Sequence, residues 1–331
     1  MKKTYVLLGG VFLLLIAAYW GLKAYNTQTT AAETAAEEAA VIYVTNEETL
    51  SALSYTNGTE TLAFDFADTV WTYHEDDALQ INQTTLQSVA ASFAQLAASR
   101  ELTGDTDDLS DYGLDDPAYT LSITSSDGET TDILIGDSFS SDAYYYGKTD
   151  TSETIYVLDA SVVTNLVFDL NELVEIPSLP GLTTDNTVTL TRSLDDETIS
   201  LTPDTAASAT EESESTEESD IEESTESSTE ETTSPFEDAM TAIASSMIYS
   251  TQTAQPTEDE LKTYGLTKDS RKTYTLTYTD DDDKETTFVF YAGSNDEEDT
   301  TTYIQVKGNE SVYLVSSSMI EDLDTAFDET N

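Results

Sequence analysis

His74 is the single histidine of a chain that has no cysteine at all, and these two facts remove most of the side chains that do covalent or metal chemistry. The imidazole stands in Trp71-Thr72-Tyr73-His74-Glu75-Asp76-Asp77. A hydrolytic triad or a metallohydrolase site could use it, but it stands alone, with no second imidazole to chelate a metal, so the reading here is a solvated histidine at a hairpin end. Without cysteine there are no thiol nucleophiles, disulfides or cysteine-ligated zinc and iron–sulfur sites. No nucleophile elbow, HExxH pair or glycine-rich phosphate loop occurs. Carboxylates remain. Asp105, Asp107 and Asp108, followed by Asp111, Asp115 and Asp116, are weak candidates for a hard cation such as calcium, which takes several oxygen ligands from one loop. They lack the sixth-position glycine and twelfth-position glutamate of an EF-hand loop. With 66 acidic residues, no pair is singled out for glycoside hydrolysis. Asp280 to Asp283 with Lys284 reads as a hairpin turn. Tyr144-Tyr145-Tyr146 offers aromatic area with polar tips for a sugar or peptide, and equally reads as a strand with alternate rings facing core and solvent. The residues therefore point to a non-enzymatic protein, with no catalytic residue and no cofactor.

Charge narrows the partners. Lys and Arg number 12 against 66 Asp and Glu, a formal net charge of −54 in 331 residues. Three of the twelve, Lys2, Lys3 and Lys23, flank the first apolar run, so the body is more acidic still. Nucleic-acid affinity rests on cations displacing counterions from phosphates, and such a body excludes it.

The amino terminus carries the one long apolar segment. Tyr5 to Leu22 is almost uninterrupted and ends beside Tyr19 and Trp20. As a helix it comes close to a hydrocarbon core of ~30 Å. Lys2 and Lys3 favour a cytoplasmic amino terminus and an extracytoplasmic body. Residues 1–25 are thus expected to be a transmembrane anchor in a bacterial cell membrane, contacting the bilayer through residues 5–22. A cleaved secretory signal is the other reading, with small residues of Ala31 to Ala40 as its cleavage region. Residues 26–40 form a stalk on the anchored reading.

Self-similarity organises the rest. Asp111-Tyr112-Gly113-Leu114 recurs as Thr263-Tyr264-Gly265-Leu266. Alternating runs follow, Tyr119 to Ile123 and Tyr274 to Tyr278, then turns at Asp127-Gly128 and Asp280 to Lys284. Further strand-like runs are Ile133 to Gly136 and Phe288 to Tyr291. The copies close with Ile155-Tyr156-Val157 and Val312-Tyr313-Leu314, followed by short helical patterns to Leu166 and Leu323. Before each Tyr-Gly-Leu lies an amphipathic stripe: Leu86, Val89, Ala90, Phe93, Leu96 and Ala97 in one copy, and Phe236, Met240, Ile243 and Met247 in the other. Ser234-Pro235-Phe236-Glu237 has the form of a capping box. Thr61 to Phe66 with Val70 to Tyr73 reads as a hairpin, with Thr187 to Thr191 and Glu197 to Leu201 as its counterpart. Gly113 and Gly265 are placed to supply a positive φ, with the flanking Tyr and Leu packing.

The expectation is an α+β protein: an N-terminal transmembrane helix, then two tandem β-rich modules, 41–175 and 176–331, each with antiparallel strands and an amphipathic helix. The second module carries an insertion at 204–234, nearly pure Ser, Thr and Glu with 12 acids and no base. Too little apolar surface offsets its chain entropy, so disorder is expected there.

The order Trp71, apolar helix, Tyr-Gly-Leu-Asp-Asp-Pro at 112 to 117, strand, Asp127-Gly128, Ile135-Gly136-Asp137, tyrosines 144 to 146 and Ile-Tyr-Val at 155 to 157 is similar to the bacterial domain of unknown function numbered 4340. Residues 41–175 carry the resemblance, and the second copy joins from Ser234 onward, without the tryptophan or the proline. The resemblance implies a membrane-anchored protein encoded beside ABC-transporter components of the gliding-motility or auxiliary type. It implies a transporter accessory role and brings no catalytic residues. A module binding cell-wall glycan or a cation is the alternative from another class.

Overall fold

The computed structural model describes residues 41–102, 108–166, 168–195, 197–203 and 234–330. The anchor and stalk segments 1–25 and 26–40, Asp105 and Asp107, and all of the insertion except Ser234 lie outside them. Among the described residues no helix is long and apolar enough to cross a membrane.

The described residues form two compact units, one from residues 41–58 with those of Ala90–Leu166, the other from Thr59–Val89 with the described residues after Leu166. In the first unit, six strands hydrogen-bond antiparallel in the order β2-β7-β8-β9-β10-β6. They are β2 (Leu50–Thr56), β7 (Tyr119–Ser125), β8 (Thr130–Phe139), β9 (Tyr144–Thr149), β10 (Ile155–Asp159) and β6 (Arg100–Glu101). A separate pair joins β1 (Ile42–Tyr43) to β5 (Ala97–Ala98). Alternation makes the strands: every second residue of β7, Leu121 and Ile123, is buried, as are Ile133 and Ile135 of β8. They pack with Leu53, Tyr55, Ile155 and Leu158 as a core. Short helix α2 (Ser161–Thr164) follows β10, and the Asn165 amide just after it donates to the Ser92 hydroxyl at 3.0 Å.

In the second unit, seven strands run β12-β11-β14-β15-β16-β17-β13. They are β11 (Thr187–Leu194), β12 (Glu197–Leu201), β13 (Ser250–Thr253), β14 (Lys272–Thr279), β15 (Glu285–Asn295), β16 (Thr301–Val306) and β17 (Val312–Ser316). Helix α4 (Pro235–Ala244) begins on the expected capping box: the Ser234 hydroxyl accepts from the Glu237 amide, and the Glu237 carboxylate from the Ser234 amide. Helix α6 (Ser317–Asp328) packs against α4 and against β12, β16 and β17. Tyr274, Phe236, Phe290, Ile304, Tyr313 and Phe327, each at most 1% exposed, fill the space. Short helices α3 (Leu170–Leu173) and α5 (Glu258–Thr263) complete this unit, together with the hairpin β3 (Thr61–Ala67) and β4 (Val70–Tyr73).

Both units thus repeat one order of six strands, β2-β7-β8-β9-β10-β6 and β11-β14-β15-β16-β17-β13. The match corrects the hairpin assignment. β11 pairs with β14 as β2 pairs with β7, so the counterpart of β11 is β2, not the strand beginning at Thr61. Helix α1 (Gln83–Ala94) and α4 are also shorter than the apolar stripes predict. Leu96, Ala97 and Met247 fall past their ends, and Met247 is 63% exposed. The closing helices are unequal, four residues in α2 against twelve in α6.

Candidate functional site

The repeated Tyr-Gly-Leu is the best-built feature the two copies share. In the first unit, Asp108 caps a 3-10 turn over Leu109–Tyr112, its carboxylate accepting from the Ser110 amide. Gly113 then takes φ of 66° and closes the turn by donating to the carbonyls of Leu109 and Ser110, a left-handed conformation that costs glycine least. The second copy has Thr257 capping α5 and Gly265 at φ 68°. Leu114 and Leu266 are buried. The tyrosine carbonyl next to each turn presses against a glycine of the neighbouring strand. A Cβ on Gly136 would lie inside the van der Waals envelope of the Tyr112 carbonyl, and one on Gly293 inside that of Tyr264. Both strands break register there, between Ile135 and Ser138 and between Ala292 and Asn295. Ile135-Gly136 thus marks a close backbone approach that the sequence pattern did not disclose.

Past the bulge, the first copy builds something the second does not. Tyr112 meets Tyr146 edge-on at 5.0 Å, Phe139 stacks on Tyr146 at 4.5 Å, and Phe139 stacks on Tyr144 at 5.7 Å. All four rings are half-buried. Tyr145 alternates to pair with Tyr119 at 6.5 Å, so the strand reading is right about alternation, but none of the three tyrosines enters the core. The hairpin tip supporting the row is strained: Ser140, Ser141 and Asp142 have φ of 57°, 60° and 61° in succession. None is glycine, and left-handed backbone costs such residues roughly 1–2 kcal/mol each. The Ser138 hydroxyl bonded to the Asp142 carboxylate spans the tip. In the second copy only the anchor pair survives, Tyr264 against Tyr303 at 4.4 Å, with the Tyr264 hydroxyl bonded to that of Thr253. The register puts Asp296, Thr301 and Thr302 where Phe139, Tyr144 and Tyr145 stand.

The other candidates are placed differently. His74 follows β4 on the surface, its Nδ1 2.6 Å from the Asp65 carboxylate. That hydrogen bond, with the charge of the same group, raises its pKa above 6.5. The pairing therefore contributes stability fully below pH ~6.5, the unfolded value, and loses it as pH rises through the folded pKa. Asp65→Asn is expected to return the pKa towards 6.5, read directly by NMR because the chain has one imidazole to titrate. An unmoved titration would show that the pair does not form. Of the weak cation candidates, Asp108 is spent on capping and Asp111 lies inside the 3-10 turn. Among the described residues no three His, Asp or Glu side chains gather as a metal site requires.

Basic side chains form a network missed in the sequence. Asp324 on α6 accepts from Arg192 at 3.0 Å, from Lys272, and from the buried Tyr274 hydroxyl at 2.7 Å. Arg192 also reaches Asp328 and lies over the Phe327 ring. Burial, then the Asp324 charge, pushes the Tyr274 phenol upward, so it stays protonated and donates.

The architecture defines an α+β protein of two antiparallel sheets sharing one strand order. The chain belongs to the family described as Domain of unknown function (DUF4340), whose model matches residues 71–242 and again 236–330. No curated protein matches the chain, and no solved structure does.

Proposed function

We propose that this protein is a membrane-anchored, extracytoplasmic, non-enzymatic interaction component of an ABC transporter or another cell-envelope complex. The observation that supports this best is the aromatic row Tyr112–Tyr146–Phe139–Tyr144. Partly exposed aromatic rings, three of the four here with a polar tip, are the side chains that concentrate binding energy at protein contacts, and here a strained turn holds them. The anchor and the outward orientation rest on residues 5–22 and on Lys2 and Lys3. The transporter as partner rests on the family resemblance.

A second reading, a cell-wall glycan ligand, is favoured by the near-parallel stacking of Phe139 with Tyr144 and Tyr146, a flat apolar surface of the kind a sugar ring can cover. Purification of the full-length protein from its own membranes in mild detergent tests both. The comparison is with the double variant Phe139→Ser/Tyr144→Thr, the latter residue being the one the second copy carries at that place. Transporter subunits are expected with the parent protein and a recovery lower by about tenfold with the variant, the scale of one hot-spot contact. Equal recovery from both would remove the row as the contact face. Wall glycan without transporter subunits would transfer the assignment to the second reading.

A further inference from the structure

The two copies finish the same sheet edge in different ways. In the first unit the chain past α1 is covered by the segment that begins with β1. Tyr43 pairs with Ala97 and Ile42 with Ala98. The Val44 and Thr45 amides donate to the Leu96 carbonyl at 2.7 and 3.3 Å, and the Glu47 amide to Ala94. The Thr45 hydroxyl, buried, donates to the Phe93 carbonyl at 2.6 Å and accepts from the Leu96 amide at 3.0 Å.

Hydrogen-bond register fixes the equivalent residues in the second unit. Ser99 donates to Val157 as Tyr249 donates to Leu314, each at 2.8 Å. Arg100 lies opposite Val157 as Ser250 lies opposite Leu314. Leu96, Ala97 and Ala98 therefore correspond to Ser246, Met247 and Ile248. Among the described residues no strand covers this stretch, and neither the Ser246 carbonyl nor the Met247 and Ile248 amides have a hydrogen-bond partner. Met247 and Tyr249, two residues apart and so on one side of an extended chain, are 63% and 51% exposed, the highest values of any large apolar side chain described. The far end of the edge is closed, since the Ala254 amide donates to Asn171 Oδ1 at 2.7 Å. Between the two ends, the Thr251 hydroxyl oxygen is buried with no hydrogen-bond partner.

We infer that Ser246–Tyr249 is a docking edge that takes an extended strand from a partner protein, as the first copy takes β1. The first copy specifies the occupant's chemistry: a short antiparallel segment of β-branched and aromatic residues, like Ile42-Tyr43-Val44. Charge specifies its source. A second copy of this chain would bring another net charge of −54 to the contact, whereas an uncharged or basic segment of a different protein would be drawn to it. Strand addition supplies affinity through the unpaired main-chain groups and selects through the side chains that meet Met247 and Tyr249. The inference does not depend on the aromatic row of the first copy.

The test is amide hydrogen exchange on the full-length protein in mild detergent, with and without a lysine-flanked peptide of sequence Val-Ile-Tyr-Val-Thr. At peptide near ten times its dissociation constant, exchange over 246–249 is expected to slow by about tenfold. The slowing is expected to vanish in Met247→Lys/Tyr249→Lys, whose substitutions fall on exposed side chains. No slowing, slowing that persists in the double variant, or slowing confined to 96–98 by exchange with β1 would each overturn the assignment. So would protection of 246–249 without peptide in a species of doubled mass, which would make a second copy the occupant.

Discussion

Gly293→Ala is expected to lower the stability of the second unit by about 2–3 kcal/mol, the upper part of the range for overpacking a fixed interior. For a unit of this size that is a fall of very roughly 5–10 °C in Tm. The added methyl meets the Tyr264 carbonyl, which is backbone and cannot rotate away, and then the Leu266 side chain at 3.0 Å. The carbonyl is also held in place, because it accepts from the Ser294 amide at 2.8 Å. Gly136→Ala should act in the same way on the first unit through Tyr112. Gly181→Ala, where a Cβ has nothing within 4 Å and φ is not positive, as at Gly293, is the control for glycine replacement without overpacking. Thermal unfolding of the three variants checks the claim, and a Tm for Gly293→Ala no lower than for Gly181→Ala would refute it.

The second large effect is expected at Asp324. Its carboxylate serves Arg192, Lys272 and the Tyr274 hydroxyl together, so Asp324→Ala leaves three donors short of an acceptor. Wholly buried pairs lose ~3–5 kcal/mol when one partner is removed. Here the Lys272 side chain is 34% exposed and the Asp324 side chain 21%, and solvent screening brings the expectation to about 2 kcal/mol. Tyr274→Phe alone should cost about 1 kcal/mol, the net worth of one hydrogen bond, and nearly nothing in the Asp324→Ala background. A double-mutant cycle between these positions measures the coupling. Additive losses would mean that the network does not act as a unit.

What the sequence disclosed was what is local. The positive φ of Gly113 and Gly265, the capping box at Ser234 and the alternation of Tyr119 to Ile123 each depend on a few adjacent residues, and each was readable. The helix ends were not. Ala94 and Ala244 are followed by no glycine or proline, so nothing in the apolar stripe announces the switch to strand. Asp324 finds Arg192 across 132 residues, and no local pattern encodes such a pair. The aromatic row was only half visible, because Tyr144 to Tyr146 stand out while Phe139 joins them through a bulge at Gly136 and a left-handed tip made of Ser-Ser-Asp. Those residues look like an ordinary polar turn.

The strand order has a kinetic consequence. β7 to β10 and β14 to β17 are consecutive antiparallel neighbours, so each meander assembles by closing short loops, which costs little chain entropy. β2 and β11 instead reach β7 and β14 from the far side of a helix and a turn, a closure across more than 60 residues in the first copy. Non-local pairings of this kind are the slow ones. Each copy is therefore built to nucleate on its carboxy-terminal hairpins and to complete its sheet last with the strand that comes first in the chain. As the copy leaves a ribosome, the edge that this leading strand will present to β7 or β14 stays open until the Tyr-Gly-Leu turn and the strand behind it have emerged.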